Sequence, residues 1–226
     1  MQDLRKRVVA HRGDQVDHPE NTLAAFQAAV DAGALWLEGD IQFSRDGVPV
    51  FMHDADIRRM CGKEGEVAEL PYTELSERCA ELPLLSLTDF VTWFAALPSA
   101  PSFFLEIKEE SLKHMSADRI LDVVSGMVAA CKSRIVLISS SPLLAEAAQQ
   151  AGFVTGWVAE GVTNFVRMPE YIFLDVRDKQ ALEQWRDSGT NIAVYTCNDA
   201  AEAEQLLNSG IEMVETDYFC RVAGSL

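Results

Sequence analysis

The chain has 226 residues and a formal net charge of −16, because 35 acidic residues outnumber 19 lysines and arginines. This balance excludes a protein that binds the phosphate backbone of nucleic acids, which requires a basic face, and anionic lipid headgroups would repel it as well. With 48% hydrophobic and 24% charged residues, the chain is composed like a globular protein with a large core rather than a disordered acidic tail.

Short apolar or β-branched runs alternate with helical stretches along the chain, a pattern typical of βα units around a parallel sheet. The predicted strands are residues 7–10, 35–43, 48–52, 103–108, 134–139, 154–158, 171–174, 191–196 and 212–216. Apolar residues at helical spacing predict helices over 23–31, 117–131, 143–150, 179–187 and 200–208. The segment 54–83 is the least regular and offers at most a short helix over 73–80.

The second and third strands are joined only by the four residues Ser44-Arg45-Asp46-Gly47, too few for a parallel crossover. The Asp-Gly pair is a type I′ hairpin signal, so we expect these strands to be antiparallel neighbours. Eight strands then remain in βα alternation, which predicts a (β/α)₈ TIM barrel. Since no Pro/Gly/Ser-rich linker divides the chain, we expect a single domain over residues 1–226, with the hairpin and a short cap segment added to the barrel.

Three carboxylates fall on the faces of two predicted strands. Period-two alternation places Glu38 and Asp40 on one face of the second strand, and Glu106 and Lys108 on one face of the fourth. Two carboxylates on one face repel each other unless a positive charge lies between them. Because an all-oxygen set suits hard cations, these residues predict a site for Mg²⁺ or Ca²⁺ rather than zinc.

Two histidines are predicted to lie beside this cation site. His11 and Arg12 directly follow the first strand, at the end where TIM barrels carry their reactive groups. If the Asp-Gly pair forms the two central residues of the hairpin, Asp40 faces His53 in the returning strand. Two imidazoles, an arginine and a lysine around a carboxylate-bound cation are the groups needed for phosphate-ester chemistry.

The order of these residues resembles the glycerophosphodiester phosphodiesterase family. The matching segments are His11-Arg12-Gly13, Pro19-Glu20-Asn21-Thr22, Glu38-Gly39-Asp40, His53-Asp54, Glu106-Ile107-Lys108, Tyr195-Thr196-Cys197-Asn198 and Glu215-Thr216-Asp217-Tyr218. The resemblance implies a metal-dependent TIM-barrel hydrolase that cleaves glycerophosphodiesters to glycerol 3-phosphate and an alcohol. Tyr195 stands where the family usually has Trp, and the stretch after His53-Asp54 is shorter than the insertion that many members carry.

The resemblance also implies roles for individual residues. His11 and His53 would be the general acid and base, and Arg12 and Lys108 would hold the phosphate. The metal ligands would be Glu38, Asp40 and Glu106, and Tyr195 would either line the pocket or pack under it. Still open are which histidine is the acid, whether water or a substrate hydroxyl attacks first, the head group, the metal and the oligomeric state.

Two other functions fit parts of the pattern. A metal-dependent lyase or isomerase acting on a phosphorylated sugar could use the same barrel, although it would need one base near a carbon acid rather than two histidines. A binding module could retain the pocket without catalysis, although both histidines and all three carboxylates are present here.

The five cysteines, Cys61, Cys79, Cys131, Cys197 and Cys220, are scattered and show no CxxC spacing. We therefore expect reduced packing residues rather than a disulfide framework or a zinc site. The sequence has no run of about eighteen apolar residues that could span a membrane and no apolar leader near its start. These features predict a cytoplasmic protein. The resemblance to the family implies a small-molecule glycerophosphodiester as its substrate, and no insertion into a membrane is expected.

Overall fold

The structure is a computed structural model that describes residues 3–98, 101–159, 167–186 and 188–226. Within these ranges the strands are β1 (Val8–His11), β2 (Trp36–Phe43), β3 (Pro49–Phe51), β4 (Ser102–Ile107), β5 (Ile135–Ser139), β6 (Val154–Val158), β7 (Tyr171–Asp175), β8 (Asn191–Tyr195) and β9 (Met213–Thr216). Every predicted strand is confirmed to within one residue at each end.

The α-helices in the same ranges are α1 (Leu23–Asp31), α2 (Arg58–Cys61), α3 (Tyr72–Arg78), α4 (Leu87–Ala96), α5 (Ala117–Met127), α6 (Pro142–Gln150), α7 (Lys179–Trp185), α8 (Ala200–Asn208) and α9 (Phe219–Ser225). The sequence did not predict α2, α4 and α9. The helix predicted over 117–131 ends earlier, and residue 187, the predicted end of α7, lies outside the described residues. In the part of the chain that the structure covers, no helix is long and apolar enough to cross a membrane.

Eight parallel strands close into a barrel. Their order around it is β1-β9-β8-β7-β6-β5-β4-β2, and β1 pairs with β2 to complete the circle. The remaining strand, β3, pairs antiparallel with Ile41–Phe43 of β2, beyond the residues of β2 that pair with β1. This arrangement confirms the predicted (β/α)₈ TIM barrel with an added hairpin, and it brings the carboxyl ends of the eight parallel strands to one mouth.

Aromatic and branched side chains fill the lower part of the barrel interior. Trp36 of β2 and Phe104 of β4 stack with their ring centroids 4.7 Å apart, and Tyr171 of β7 packs edge-on against Phe104. Burying a side chain such as Phe104 contributes about 1.5–3 kcal/mol. The polar side chains described below lie above this layer, toward the mouth.

The hairpin is present, but its predicted register is wrong by one residue. Gln42 pairs with Val50, and the backbone N–H of Met52 donates to the Asp40 carbonyl at 3.0 Å, so Asp40 faces Met52 rather than His53. A type I′ turn needs positive φ at two residues, whereas Gly47 alone has it in this loop, at 83°. The connection is therefore a three-residue loop, and His53 lies just beyond the end of β3.

A small cap covers one side of the mouth, as predicted. It consists of residues 54–85, including α2 and α3, and it encloses a separate apolar cluster whose buried members are Val50, Met52, Ile57, Val67, Leu70, Leu75 and Cys79. A disulfide joins Cys61 at the end of α2 to Cys79 just after α3. The prediction that the cysteines are all reduced is therefore wrong for this pair, which is separated by 18 residues and meets only because the cap folds back on itself.

Candidate active site

The turn after β1 brings His11 and Arg12 to the mouth. Gly13 has a φ of 86°, and a Cβ on it would lie 2.6 Å from the carbonyl carbon of Ala25 in α1, so only glycine fits. Arg12 itself adopts a left-handed φ of 55°. In this conformation its backbone N–H donates to Glu38 Oε2 at 3.1 Å, which ties the turn to the neighbouring strand.

Glu38, Asp40 and Glu106 form the candidate metal site. One carboxylate oxygen from each lies within 4.8 Å of the others, and the three residues are 2%, 1% and 7% exposed. Glu38 Oε1 is buried without a hydrogen-bond partner among the described residues. An unpaired oxygen within a compact all-oxygen donor set is what a hard divalent cation requires, so these residues fit Mg²⁺ or Ca²⁺.

Two side-chain cations partly balance these carboxylates. Arg12 Nε lies 3.0 Å from Asp40 Oδ2, and Lys108 Nζ lies 2.9 Å from Glu106 Oε1. Burial would raise the pKa of Asp40, but Arg12 and then Lys108 outweigh it and hold that pKa below its usual range. Burial raises the pKa of Glu106 to about 7 despite Lys108, and burial followed by repulsion from Asp40 raises the pKa of Glu38. The site thus carries more acid than its own cations neutralise.

Asn21 fixes the orientation of Asp40. Its Nδ2 donates to Asp40 Oδ2 at 2.9 Å, and its Oδ1 accepts from the Asp40 backbone N–H at 3.1 Å. Gly39 makes this contact possible, because a Cβ there would lie 3.0 Å from Asn21 Oδ1 and 2.8 Å from the Phe26 ring. The N-cap of α1 is the neighbouring Thr22, whose side chain accepts from the Ala25 N–H, so Asn21 supports the site rather than the helix.

His11 is held by Asp217, which follows β9. The two side chains meet at 2.7 Å between Nδ1 and Oδ1. A carboxylate only accepts, so Nδ1 carries the proton and Nε2 is left facing Glu38 Oε2 at 3.9 Å. Gln15 donates to Asp217 Oδ1 at 3.1 Å, and Asn198 donates to Oδ2 at 2.8 Å. Burial lowers the pKa of His11, although the bond to Asp217 acts in the opposite direction.

His53 has a matching carboxylate partner, Asp54, whose Oδ1 lies 2.8 Å from His53 Nδ1. Arg59 of α2 donates to Asp54 Oδ2 at 2.5 Å and also to both oxygens of Glu20, which in turn pairs with Arg12 at 3.1 Å. The bond from Arg59, with a smaller effect from His53, lowers the pKa of Asp54 to about 2. A continuous chain of ion pairs therefore links the cap to the metal site.

The loop that carries His53 is held from below by Gln42. Its Nε2 lies within hydrogen-bonding distance of three successive backbone carbonyls, those of Met52, His53 and Asp54, at 3.0, 3.0 and 2.8 Å. This contact, rather than strand pairing, places the second histidine beside the carboxylates. His53 lines the pocket with Glu38 and Glu106, as the sequence predicted, although the hairpin register used for that prediction was wrong.

Comparison with known proteins identifies the family. Residues 11–152 match the model of the glycerophosphoryl diester phosphodiesterase family. The chain belongs to this family. The match includes both histidines, the three carboxylates, Arg12 and Lys108, which are also the residues that the structure brings together at the barrel mouth.

Relatives of known name match this chain over different lengths. Glycerophosphodiester phosphodiesterase 1 of Bos taurus is 40% identical over 79 residues, which are 33% of this chain and 24% of the bovine protein. The chain therefore matches only about a quarter of the length of that relative. The glycerophosphodiester phosphodiesterase of Thermotoga maritima is 26% identical with a TM-score of 0.76, covering 97% of this chain and 98% of that one.

A phosphodiesterase of Oleispira antarctica, whose structure is a complex with its product sn-glycerol-3-phosphate, superposes with a TM-score of 0.77 at 21% identity. This match covers 97% of this chain and 96% of that one. At this identity it supports the fold alone.

One pocket at the mouth of the barrel collects the predicted residues. Its lining includes His11, Arg12, Glu38, His53, Glu106, Lys108 and Tyr195. Asp40 lies just beneath and contacts both Arg12 and Lys108. The other wall of the pocket is apolar and consists of Ile138, Val158 and Phe173.

The sequence interpretation included Asn21, Asp54, Asp217 and Glu215 in its matching segments but gave none of them a role at this site. Three of them hold residues that were predicted, as described above. The fourth, Glu215, lines the pocket, and burial followed by repulsion from Glu106 raises its pKa well above the usual value. Alternation along β9 could have indicated both Glu215 and Asp217, since they lie on the face that the strand turns to the barrel interior.

Proposed function

We propose that this chain hydrolyses glycerophosphodiesters to glycerol 3-phosphate and an alcohol with the help of a divalent cation. The observation that carries the proposal is the single pocket in which two carboxylate-bound histidines face a buried three-carboxylate cluster, an arginine and a lysine. Membership of the family and the sn-glycerol-3-phosphate bound to the Oleispira protein support this substrate class.

Glu38, Asp40 and Glu106 would hold the cation in this proposal, with Asn21 fixing the orientation of Asp40. A bound Mg²⁺ or Ca²⁺ would supply positive charge to the phosphate oxygens. Arg12 and Lys108 add two further positive charges at the same end of the pocket. Because these groups are fixed before the substrate arrives, they stabilise the charge that builds up in the transition state.

The two histidines divide the proton transfers. His11 lies deep in the pocket, its side chain is 11% exposed, and its Nδ1 proton is held by Asp217, so Nε2 is ready to accept a proton from the nucleophile. His53 lies at the mouth, is 34% exposed in its side chain, and is positioned to protonate the alcohol that departs toward solvent. The nucleophile in this scheme is water or the neighbouring hydroxyl of the glycerol group.

Disulfides are rare in the cytoplasm, and the Cys61–Cys79 bond of the cap therefore argues against the location expected from the sequence. The apolar wall of Ile138, Val158 and Phe173 lies opposite the charged groups and is the surface that an alcohol head group could contact.

The test is the release of glycerol 3-phosphate from glycerophosphocholine, glycerophosphoethanolamine and glycerophosphoglycerol by the wild type and by His11→Ala and His53→Ala. A positioned acid or base contributes about 10²- to 10⁴-fold, so each variant should lose at least about 100-fold in kcat. His114→Ala removes an exposed histidine that pairs with Glu69 at 3.2 Å and serves as the matched control. A folded His11 or His53 variant with near-full activity would contradict the proposed roles.

A further inference from the structure

Glu215 is a buried carboxyl that the proposed reaction does not use. It lies on β9 beside Val9 of β1 and is 2% exposed. Glu38, Asp40 and Glu106 form a cluster within 4.8 Å, and Glu215 is not part of it. It nevertheless lines the same pocket, next to the strand that carries His11.

One oxygen of the Glu215 side chain lacks a hydrogen-bond partner among the described residues. This atom, Oε1, is buried. A buried polar group in this state costs about 1–3 kcal/mol of stability. Residues that weaken the fold in this way while facing a pocket are typical of sites where a ligand supplies the missing bond.

The surroundings of Glu215 indicate which part of a substrate it would meet. The lining residues from β5 to β8 are Ile138, Val158, Phe173 and Tyr195, so Glu215 is the one charged group that the strands β5–β9 contribute to the described lining. Arg12 directly follows β1, the neighbour of β9, and Lys108 follows β4 on another part of the mouth. For a substituent of a phosphate held between Arg12 and Lys108, Glu215 is the charged group that this part of the wall offers.

We propose that Glu215 recognises the glycerol part of the substrate by hydrogen bonding its free hydroxyl groups. This inference rests on the proposed function. A hydroxyl both donates and accepts, so it can pair with a carboxyl in either protonation state. The position of Glu215 beside β1 places the glycerol on the His11 side of the phosphate and the departing alcohol on the His53 side, where the pocket opens.

The inference predicts a change in selectivity. A site built to bond a substrate hydroxyl rejects an analogue that lacks it, and such rejection reaches about 10⁴-fold in favourable cases. The test compares kcat/KM for glycerophosphoethanolamine with kcat/KM for propylphosphoethanolamine, which has the same carbon skeleton without hydroxyls. We expect Glu215→Leu to lower this ratio by at least about 100-fold, and Glu215→Gln to lower it less, because an amide also donates and accepts.

Glu212→Gln is the matched control, since Glu212 is an exposed glutamate just before β9. Its ratio should equal that of the wild type. A second readout, the thermal midpoint, should rise in Glu215→Leu because the unpaired carboxyl is gone, whereas a purely structural role would lower it. A selectivity ratio in Glu215→Leu within threefold of the wild-type value overturns the inference.

A binding experiment separates this inference from the proposed function. The ratio of the Kd values of sn-glycerol 3-phosphate and propyl phosphate, measured by calorimetry, needs no turnover. If the wild type cleaves no glycerophosphodiester, the proposed function fails, and this ratio still decides the role of Glu215. If the wild type cleaves them and Glu215→Leu changes neither ratio, Glu215 does not recognise the glycerol. If Glu215→Leu fails to fold, Glu215→Ala, which also removes every polar atom of the side chain, gives the deciding ratio under the same threefold limit.

Discussion

Replacing Asp217 by Asn is the sharpest perturbation of the proposed acid–base system, because it removes one charge and keeps the shape. Asp217 accepts bonds from His11, Gln15 and Asn198 on its two oxygens. The Asn198 amide cannot turn over to accommodate the new side chain, since its own Oδ1 already accepts from the Thr216 hydroxyl and from the Asp217 backbone N–H, both at 2.9 Å.

Each orientation of the new amide is therefore unfavourable. If its nitrogen takes the place of Oδ1, it faces the donor of Gln15 and forces His11 to accept at Nδ1, so that Nε2 carries the proton and cannot act as a base. If its nitrogen takes the place of Oδ2, it faces the Asn198 donor at 2.8 Å, and the imidazolium loses its charged partner. We expect kcat to fall by about 10²- to 10⁴-fold, the full contribution of a positioned base.

The assay is glycerol 3-phosphate release across pH, with circular dichroism to confirm folding. Loss of the carboxylate, which raises the pKa of His11 in the wild type, should also move the acidic limb of the pH profile to lower pH. The matched control is Asp31→Asn, an exposed aspartate at the end of α1 whose replacement should leave kcat unchanged. Activity of Asp217→Asn within threefold of the wild type would refute the role given to Asp217.

Three further predictions concern the cation site and the cap. Asn21→Ala removes both hydrogen bonds to Asp40 and should weaken Mg²⁺ or Ca²⁺ binding about 10- to 100-fold in calorimetry; unchanged affinity contradicts this. In metal-free protein the pKa of Glu106 is raised from 4.5 to about 7, so the folded state keeps a proton that the unfolded chain has released. The free energy of unfolding should fall by up to about 3 kcal/mol between pH 5 and 8, and denaturant unfolding showing a rise would contradict it. The double variant Cys61→Ser/Cys79→Ser removes a disulfide between cysteines 18 positions apart and should lower the free energy of unfolding by about 3 kcal/mol. An unchanged melting temperature would contradict the presence of this bond.

The barrel was predictable because strand periodicity and βα alternation are local signals that run the length of the chain. The carboxylate cluster followed from the same periodicity, since Glu38, Asp40 and Glu106 differ from the apolar residues expected inside a barrel. The hairpin register was not predictable from the Asp-Gly pair alone. The Ser44 hydroxyl accepts from the Val48 N–H at 3.0 Å and bonds Asp46 at 2.7 Å, which favours the longer loop.

The residues that support the site escaped prediction because their partners are distant in the sequence. Asp217 meets His11 across 206 positions, and Asn21 reaches Asp40 only because Gly39 leaves room. The disulfide of the cap depends in the same way on how residues 54–85 fold over the mouth, which no spacing of cysteines reveals. Local pattern predicts which side chains face the barrel interior, whereas closure of the barrel decides which of them touch.

The most direct test of the account is ³¹P NMR of glycerophosphoethanolamine mixed with enzyme that has been stripped of metal by a chelator. The account predicts a constant diester signal in chelator, and its conversion to the glycerol 3-phosphate signal once Mg²⁺ or Ca²⁺ is added in excess. Conversion at an undiminished rate in chelator would contradict the role of Glu38, Asp40 and Glu106. No conversion of any glycerophosphodiester by the metal-loaded, folded protein would contradict the proposed function itself.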